Sequence, residues 1–231
     1  MAKLAPFKLR RRIKRIYHRM GGSEVVKRHD ASRQFAHKHN LVYFHTLPDE
    51  DPQAPAVRGA TASVGHADSN YCIGTHDSYD MVCIERANEI TFGNYEPSLH
   101  YWYVLEIDLK NAKDLPFVFV GTKQQPKAFY ARVLASRRGA SYLQPSSTSI
   151  HAASFHANYA VITSPLQADF IHRLFTNDVV DVLASHKHPF AFEIEGDSLF
   201  VFTEAKKPSE QLLNKLLHHG LWLAKVIDER F

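Results

Sequence analysis

The sequence predicts an α+β fold: a largely antiparallel sheet with helices packed on one side, preceded by a basic amphipathic N-terminal helix. Several short segments alternate apolar and polar residues between turn residues, which is typical of antiparallel strands. Apolar residues at helical spacing follow Ser23 and recur near the C-terminus. With 45% hydrophobic residues, including 15 Phe and 10 Tyr, the chain can bury one substantial core. We therefore expect an arm over residues 1–22 and a single domain over residues 23–231.

The arm concentrates positive charge. It holds eight Lys or Arg residues and no acid, so residues 23–231 carry 20 basic against 24 acidic side chains. Pro6 suits the first turn of a helix, and Gly21-Gly22 can end it. The candidate residues for binding an anionic surface are Lys8, Arg10, Arg11, Arg12, Lys14, Arg15 and Arg19. The candidate apolar face for insertion or docking consists of Leu9, Ile13, Ile16, Tyr17 and Met20.

Three partners suit such a helix. It can lie on anionic lipid with its apolar face inserted, where each basic residue contributes about 1 kcal/mol. The same charge would bind the phosphate backbone of a nucleic acid. The helix could also dock on its own domain, on a second copy or on another protein. Nucleic-acid binding does not need the apolar face, so the sequence favours a membrane among the anionic partners. The arm lacks the apolar core of a secretory signal, and the predicted location is cytoplasmic and membrane-peripheral.

The first elements after the arm are predicted from caps and periodicity. Ser23 can cap a helix that ends near His39, with Asn40 in a left-handed position. Residues 41–46 then read as a strand. Residues 47–69 form a long proline-containing connection, and such a connection is usually functional or mobile.

A hairpin is predicted to turn at Asp77-Ser78, which places Cys72 and Cys83 opposite each other. The two cysteines either pack as small apolar residues or form a disulfide, and free thiols are the expectation for an intracellular chain. The remaining predicted strands are residues 101–109 (half-buried), 116–121, 129–134, 155–163, 190–195 and 199–204. The remaining predicted helices run from Ser164 to Leu174, from Thr176 to Leu183 and from about Pro208 to the C-terminus.

A second basic patch is predicted in the middle of the chain. No acidic residue occurs between Leu115 and Ala168, and the patch consists of Lys123, Lys127, Arg132, Arg137 and Arg138. If the strand over residues 129–134 shares a face with the arm, one extended positive surface results. Tyr130 and Tyr142 could then stack on bases. The alternative is an edge strand whose basic residues prevent pairing with other chains.

No catalytic residue, metal or cofactor is assigned from the sequence. The 15 histidines include the triplets His37-Lys38-His39 and His186-Lys187-His188, but both fall at predicted helix ends, where residues i and i+2 diverge. Asp49-Glu50-Asp51 offers carboxylates in a loop, a pattern that is usually just solvated. The common nucleotide-binding, hydrolase and metalloprotease motifs are missing. An enzyme or metal protein with a histidine-rich cleft stays open as a third hypothesis.

The C-terminal third carries a family resemblance. Residues 159–176 read Tyr-Ala-Val-Ile-Thr-Ser-Pro-Leu-Gln-Ala-Asp-Phe-Ile-His-Arg-Leu-Phe-Thr, and a Phe-rich hairpin and a final helix follow. Together with the helix that bears Phe35, this pattern resembles an uncharacterised family of bacterial membrane-associated domains. In that family the domain commonly lies beside transmembrane helices, whereas no run of 18 apolar residues occurs in this chain. The resemblance implies a bacterial, membrane-associated protein without known catalytic residues.

The leading functional hypothesis is therefore a non-enzymatic intracellular binding or scaffolding module, peripheral to an anionic membrane surface through the arm. The alternative is a nucleic-acid-binding protein that uses the arm and residues 123–138.

Overall fold

The computed structural model describes residues 22–47, 57–63, 65–91, 93–94, 96, 98–111, 113–143, 153–185, 190–204 and 209–231. All the candidate residues of the arm therefore lie outside the described residues. The described part of the chain forms an α+β domain built on one large antiparallel sheet.

Within these ranges the sheet has nine strands. They are β1 (Val42–Phe44), β2 (Ala67–His76), β3 (Tyr79–Ile90), β4 (Ser98–Asp108), β5 (Leu115–Thr122), β6 (Ser141–Tyr142), β7 (Tyr159–Thr163), β8 (Ala191–Gly196) and β9 (Ser198–Glu204). Their order across the sheet is β1-β2-β3-β4-β9-β8-β5-β7-β6. The two edge strands are the shortest, with three and two residues, which limits pairing with other chains.

Helices cover most of one sheet face. The described helices are α1 (Gly22–Lys38), α2 (Lys127–Ser136), α3 (Ala153–Asn158), α4 (Ala168–Leu174), α5 (Asn177–Ser185) and α6 (Glu210–Arg230). All except α2 contribute to the larger apolar cluster, on the side that we call the helix face. Helix α2 contributes to the smaller cluster on the opposite side, which we call the groove face. The predicted layer of helices on one side is thus present, and one unpredicted helix lies on the other.

Strand β4 shows how the two clusters divide the sheet. Its residues Tyr103, Leu105 and Ile107 belong to the cluster on the helix face. Trp102 and Val104 point the other way, yet both are buried because α2 and residues around Val57 pack over them. The prediction of a half-buried strand is therefore wrong for the centre of β4.

Two segments predicted as strands are helical over all or part of their length. Residues 129–134 lie inside α2, which starts after Pro126 and buries Phe129, Tyr130 and Val133. The spacing 129, 130, 133 is helical, and it recurs on one side of a helix but not of a strand. Residues 155–158 belong to α3, so only Tyr159–Thr163 of the predicted 155–163 strand is extended.

Several local predictions are confirmed. Asn40 follows α1 with a φ of 55°, the left-handed conformation expected after a helix end. Asp77 and Ser78 form the two-residue turn between β2 and β3, with φ values of 49° and 64°. The side chain of Ser164 accepts a hydrogen bond from the Leu166 N–H at the start of the turn that precedes α4.

Cys72 and Cys83 are direct partners in the register of β2 and β3, and both are buried free thiols. The Cys72 thiol donates a hydrogen bond to the Ser32 carbonyl oxygen at 3.4 Å, so its sulfur is directed toward α1. The expectation of free thiols agrees with this geometry.

Candidate functional site

The groove face is covered over only part of its area. Residues 57–63, which we call the strap, pass over β3 and are tied down by the buried guanidinium of Arg86. That side chain donates to the carbonyl oxygens of Val57 (2.5 Å) and Arg58 (3.1 Å). It is itself held by two 2.7 Å bonds to the carboxylate of Asp68. A two-pronged contact of this type fixes the position of the guanidinium, and with it the strap.

Three other side chains hold the middle of the strap. Asn88 donates to the Thr61 carbonyl oxygen at 2.7 Å, and the carboxylate of Glu193 accepts the Ala60 N–H at 2.5 Å. Arg132 of α2 donates to the Ala60 carbonyl oxygen. The strap is thus held mainly through its backbone, by side chains from β3, β8 and α2.

The predicted basic patch is divided by the fold. Lys123, Lys127 and Arg138 are exposed on and beside α2. Arg132 packs over the ring of Phe129, and burial lowers its pKa to about 10. Arg137 forms ion pairs with two carboxylates of β8, those of Glu193 and Glu195. Arg132 and Arg137 therefore contact the domain itself. Of the predicted basic patch, only Lys123, Lys127 and Arg138 are exposed.

The aromatic residues proposed for stacking on bases are also engaged internally. Tyr130 is buried and donates to the Thr122 carbonyl oxygen at 2.7 Å. The ring of Tyr142 lies 6.0 Å from that of Tyr130, and 43% of its surface is exposed. Only Tyr142 is accessible, so the arrangement offers little of the aromatic platform that single-stranded nucleic acid requires.

Beyond the strap, the groove face is open and forms a groove of about 360 Å³ over β2, β3 and β4. We call it the acidic groove. Its lining residues are Ile73, Gly74, Thr75, Asp80, Met81, Val82, Glu106 and Asp108. The register explains the assembly, because Ile73 pairs with Val82, which pairs with Glu106 on the next strand. Side chains from three strands therefore meet in rows across the sheet.

Burial and neighbouring carboxylates raise the pKa of two acids in the groove. Burial and the neighbouring Asp108 raise the pKa of Glu106 to about 7. Burial and the charges of Asp197 and Asp80 raise the pKa of Asp108. Asp80 accepts a hydrogen bond from the Thr75 hydroxyl at 2.5 Å. Among the described residues, none of the three carboxylates forms an ion pair with a basic side chain, so the groove can accept a cationic group.

The helix face carries a different polar arrangement, a buried chain of hydrogen bonds beneath α1. Arg28 donates to Glu85 at 2.6 Å, and the other oxygen of Glu85 accepts from the Asn70 amide at 3.1 Å. Asn70 in turn accepts from the Tyr43 hydroxyl at 2.8 Å, and His29 lies 3.0 Å from that hydroxyl. These hydrogen bonds join α1 to the first three strands. We assign them a structural role.

The histidines that the structure describes do not converge on one site. His39 contacts Asn214 at 2.6 Å and the ring of His76, whereas His29 packs against His45. His219 is buried between Phe190 and Trp222, and residues 186–188 lie outside the described residues. In the described ranges, no three His, Cys, Asp or Glu side chains are arranged to hold a metal ion. The hypothesis of a histidine-rich cleft gains no support from this distribution.

Sequence patterns did not reveal the acidic groove. Glu106 and Asp108 alternate with apolar residues along β4, which is the ordinary pattern of a solvent-facing strand side. Only the pairing of β3 with β4 brings Asp80 beside them. The sequence signal that could have indicated it is the excess of acidic residues in the domain relative to the arm.

Comparisons with known proteins show the fold. No family model and no curated protein match the chain. Among solved structures, the chain is similar to the crystal structure of the mycobacterial trehalose monomycolate transport factor A, TtfA, with a TM-score of 0.53. The alignment covers 87% of this chain and 92% of that chain at 13% sequence identity. The likeness therefore shows a shared fold. Among the described helices, none has the length and apolar character needed to cross a membrane.

Proposed function

We propose that the protein is a non-enzymatic binding module held on an anionic membrane surface by its N-terminal arm. The observation that carries this proposal is the segregation of charge: eight basic and no acidic residues in residues 1–22, followed by a domain with 20 basic and 24 acidic residues. A membrane rich in anionic lipid attracts the first part and repels the second, so the arm alone would touch the surface.

The fold provides a rigid attachment for the arm. Helix α1 starts at Gly22 and is fixed to the sheet by the buried Arg28–Glu85 ion pair. A membrane-bound arm would thus orient the whole domain, because the chain continues directly from the arm into an anchored helix. The exposed Lys27 and Arg33 on α1 extend the positive charge into the domain.

One sequence resemblance and one structural likeness enter the proposal. The segment from Tyr159 to Thr176 is similar to a family of bacterial membrane-associated domains, although no family model matches the chain. TtfA is by its name a transport factor for trehalose monomycolate, and we include in the proposal that this chain also assists a transport process. The alternative of a nucleic-acid-binding protein is weakened by the internal contacts of Arg132 and Arg137.

Flotation of the nuclease-treated full chain with vesicles tests the proposal. Phosphatidylglycerol-containing vesicles should carry the protein, and pure phosphatidylcholine vesicles should not. Replacing Ile13 by Ser, or Arg10, Arg11 and Arg12 by Gln, should reduce flotation at least tenfold, because binding requires both the apolar face and the charge. The matched control replaces three exposed basic residues of the domain, Lys123, Lys127 and Arg138, by Gln and should float normally. Equal flotation of all variants, or none by the wild type, would overturn the proposal.

A further inference from the structure

Within the described residues, edge strand β1 pairs only with β2, and its side chains divide between the two sheet faces. Val42 and Phe44 are exposed on the groove face. Tyr43 lies between them and points the other way, where its hydroxyl oxygen is 3.0 Å from Nδ1 of His29 on α1. The contacts that Tyr43 and the following residues make with α1 therefore help to hold β1 in place.

A ring contact between two histidines joins α1 to the residue after β1. The imidazole of His29 lies edge-on to that of His45, with 4.0 Å between the ring centres and 76° between the planes. The carbonyl oxygen of His45 accepts the Asn70 N–H of β2 at 2.8 Å. His45 is exposed and His29 is half-buried, so both rings are open to protons from water. A change in their charge acts directly on the end of β1.

The hydrogen bonds beneath this pair determine where His29 takes up a proton. The carboxylate of Glu85 only accepts, so the Asn70 amide donates to it and directs its oxygen to Tyr43. The Tyr43 hydroxyl donates to that oxygen, and its own oxygen therefore accepts the Nδ1–H of His29. A second proton on His29 is taken up at Nε2. Protonation thus keeps the bond to Tyr43 and adds a positive charge beside His45.

The surroundings of His29 oppose this charge. Burial, His45 and Arg33 lower the pKa of His29, whereas the contact with Asn70 and the charge of Asp30 raise it by a smaller total amount. The guanidinium of Arg33 also lies 5.6 Å from the centre of the Tyr43 ring, on the α1 side of the strand. The neutral form of His29 is therefore the one that fits the closed structure.

The groups that face the pair from the strands do not change charge near neutral pH. Burial raises the pKa of Tyr43 and raises that of Cys72 to about 12, so both stay neutral. Glu85 is bound to Arg28 at 2.6 Å, and both side chains are buried. Histidine gains its charge between about pH 8 and pH 5. In the described part of the chain, the charge that changes at this place is thus that of the two imidazoles.

We propose that His29 and His45 form a pH-sensitive contact that holds β1 on α1 at neutral pH and releases it as the pH falls below about 6.5. Neutral rings attract each other edge to face, whereas two protonated rings repel, and movement of β1 relieves the repulsion. Helix α1 stays in place because Arg28 and Glu85 anchor it separately. Release leaves the outer edge of β2 without its partner, and such an edge pairs readily with an extended segment of another chain. The contact goes beyond the proposed membrane function and does not require it.

The direction of the pH effect follows from the lowered pKa of His29. When β1 is released, His29 returns toward its ordinary pKa of 6.5, so below this pH the released state binds more protons than the closed state. Lowering the pH therefore favours release. The raised pKa values of Glu106 and Glu193, both about 7, have the opposite effect on the whole domain. A local opening can thus be distinguished from global unfolding.

Amide hydrogen exchange of the full chain at pH 7.5 and pH 5.5 tests the release. Each rate is divided by the intrinsic rate at that pH, so that only the opening equilibrium is compared. The protection of the Asn70 N–H should fall at least threefold at pH 5.5, while amides of β5 lose none. H45F keeps an aromatic ring at this exposed position without the charge and should abolish the fall. The matched control H76F, which changes a ring 4.9 Å from that of His39, should retain it.

A proton NMR titration provides a second readout on the ring itself. The signal of His29 is assigned by its absence in H29Q. Its midpoint should be higher in H45F than in the wild type, because a positive charge that lowers the pKa of His29 is removed, and it should be unchanged in H76F. No loss of Asn70 protection in the wild type, a loss that persists in H45F, or an unchanged midpoint in H45F would each overturn the proposal. Neither readout involves lipid, so a failure of vesicle flotation contradicts the membrane function alone.

Discussion

Arg28 on α1 and Glu85 on β3 form an ion pair of 2.6 Å whose side chains are only 2% and 0% exposed. The guanidinium also lies 4.9 Å from the ring centre of Tyr101 on β4. One side chain of α1 thus contacts two adjacent strands beneath the helix. Since α1 starts at Gly22, directly after residues 1–21 in the sequence, this contact fixes to the sheet the helix that follows the arm.

Replacing Glu85 by Ala should destabilise the protein by about 3–5 kcal/mol, because the buried Arg28 would lose its counter-charge. The free energy of unfolding from urea titration measures the loss. The double variant R28M/E85L removes both charges and should recover most of it, since two apolar groups of similar size need no partner. A loss below about 1 kcal/mol for E85A would show that water compensates Arg28.

The sequence indicates elements whose signals are local, and it does not indicate contacts between distant segments. The Asn40 helix end, the Asp77-Ser78 turn and the Ser164 cap each depend on a few adjacent residues, and all three are present. The burial of Arg28 depends on Glu85, which is 57 positions away. Charged residues at such positions are ordinarily exposed, so their pattern predicts a solvated surface.

The same difference between local signals and long-range contacts determines which parts of the candidate site can be predicted from the sequence. The arm is visible from composition, because charge within 22 consecutive residues can be counted directly. The groove is assembled from β2, β3 and β4, and its charge depends on the register between strands. A one-residue shift of register would move every side chain of a strand to the opposite face, and composition does not reveal it.

The two thiols should be unreactive in the folded protein. Burial raises the pKa of Cys72 to about 12 and that of Cys83 well above its usual value. Because the thiolate is the reactive form, a thiol reagent should label neither residue at pH 8 in the native state. Two thiols per chain should react after unfolding in guanidinium without reductant. Zero thiols under those conditions would mean that Cys72 and Cys83 form a disulfide.

Replacing Gly121 by Ala should destabilise the sheet by about 1–3 kcal/mol. A Cβ atom at this position would lie 2.5 Å from the Tyr130 hydroxyl oxygen, 2.6 Å from Phe119 Cε1 and 2.7 Å from Gln125 Oε1. The methyl group would push Tyr130 away from the Thr122 carbonyl oxygen and loosen α2. Thermal unfolding measures the effect. The control is Ala131→Gly, which changes a residue of α2 without adding volume. Gly139→Ala is less suitable as a control because the φ of Gly139 is 80°.

Stability should fall as the pH rises from about 4.5 to 7. Burial raises the pKa of Glu193 to about 7, and burial together with Asp108 raises that of Glu106 to about 7, both from an ordinary value of 4.5. Between these pH values the folded state holds more protons than the unfolded state, so raising the pH favours unfolding. The contact with Arg137 lowers the pKa of Glu193, but burial has the larger effect, so the contact reduces this trend only in part.

The variants E106Q and E193Q test this assignment. Each should have a smaller difference in urea midpoint between pH 5 and pH 8 than the wild type, because glutamine does not titrate. The comparison uses the difference between the two pH values, because E193Q also alters the contacts of Glu193 with Arg137 and the Ala60 N–H, which changes stability by itself. If both variants had the pH dependence of the wild type, groups other than Glu106 and Glu193 would be responsible for it.

Replacing Arg86 by Lys should release the strap while the sheet stays folded. The guanidinium holds Asp68 with two nitrogens and reaches the carbonyl oxygens of Val57 and Arg58 at the same time. An ammonium group keeps the charge but cannot make these contacts together. We expect amide hydrogen exchange to accelerate at least tenfold at Ala60 and Ala62, whose N–H groups bond to Glu193 and to the Gly59 carbonyl oxygen.

Exchange in β5 should be unchanged, and so should exchange at the strap in the exposed control Arg138→Lys. Acceleration throughout the sheet would mean instead that Arg86 stabilises the whole fold, and no acceleration would mean that Asn88, Glu193 and Arg132 suffice to hold the strap.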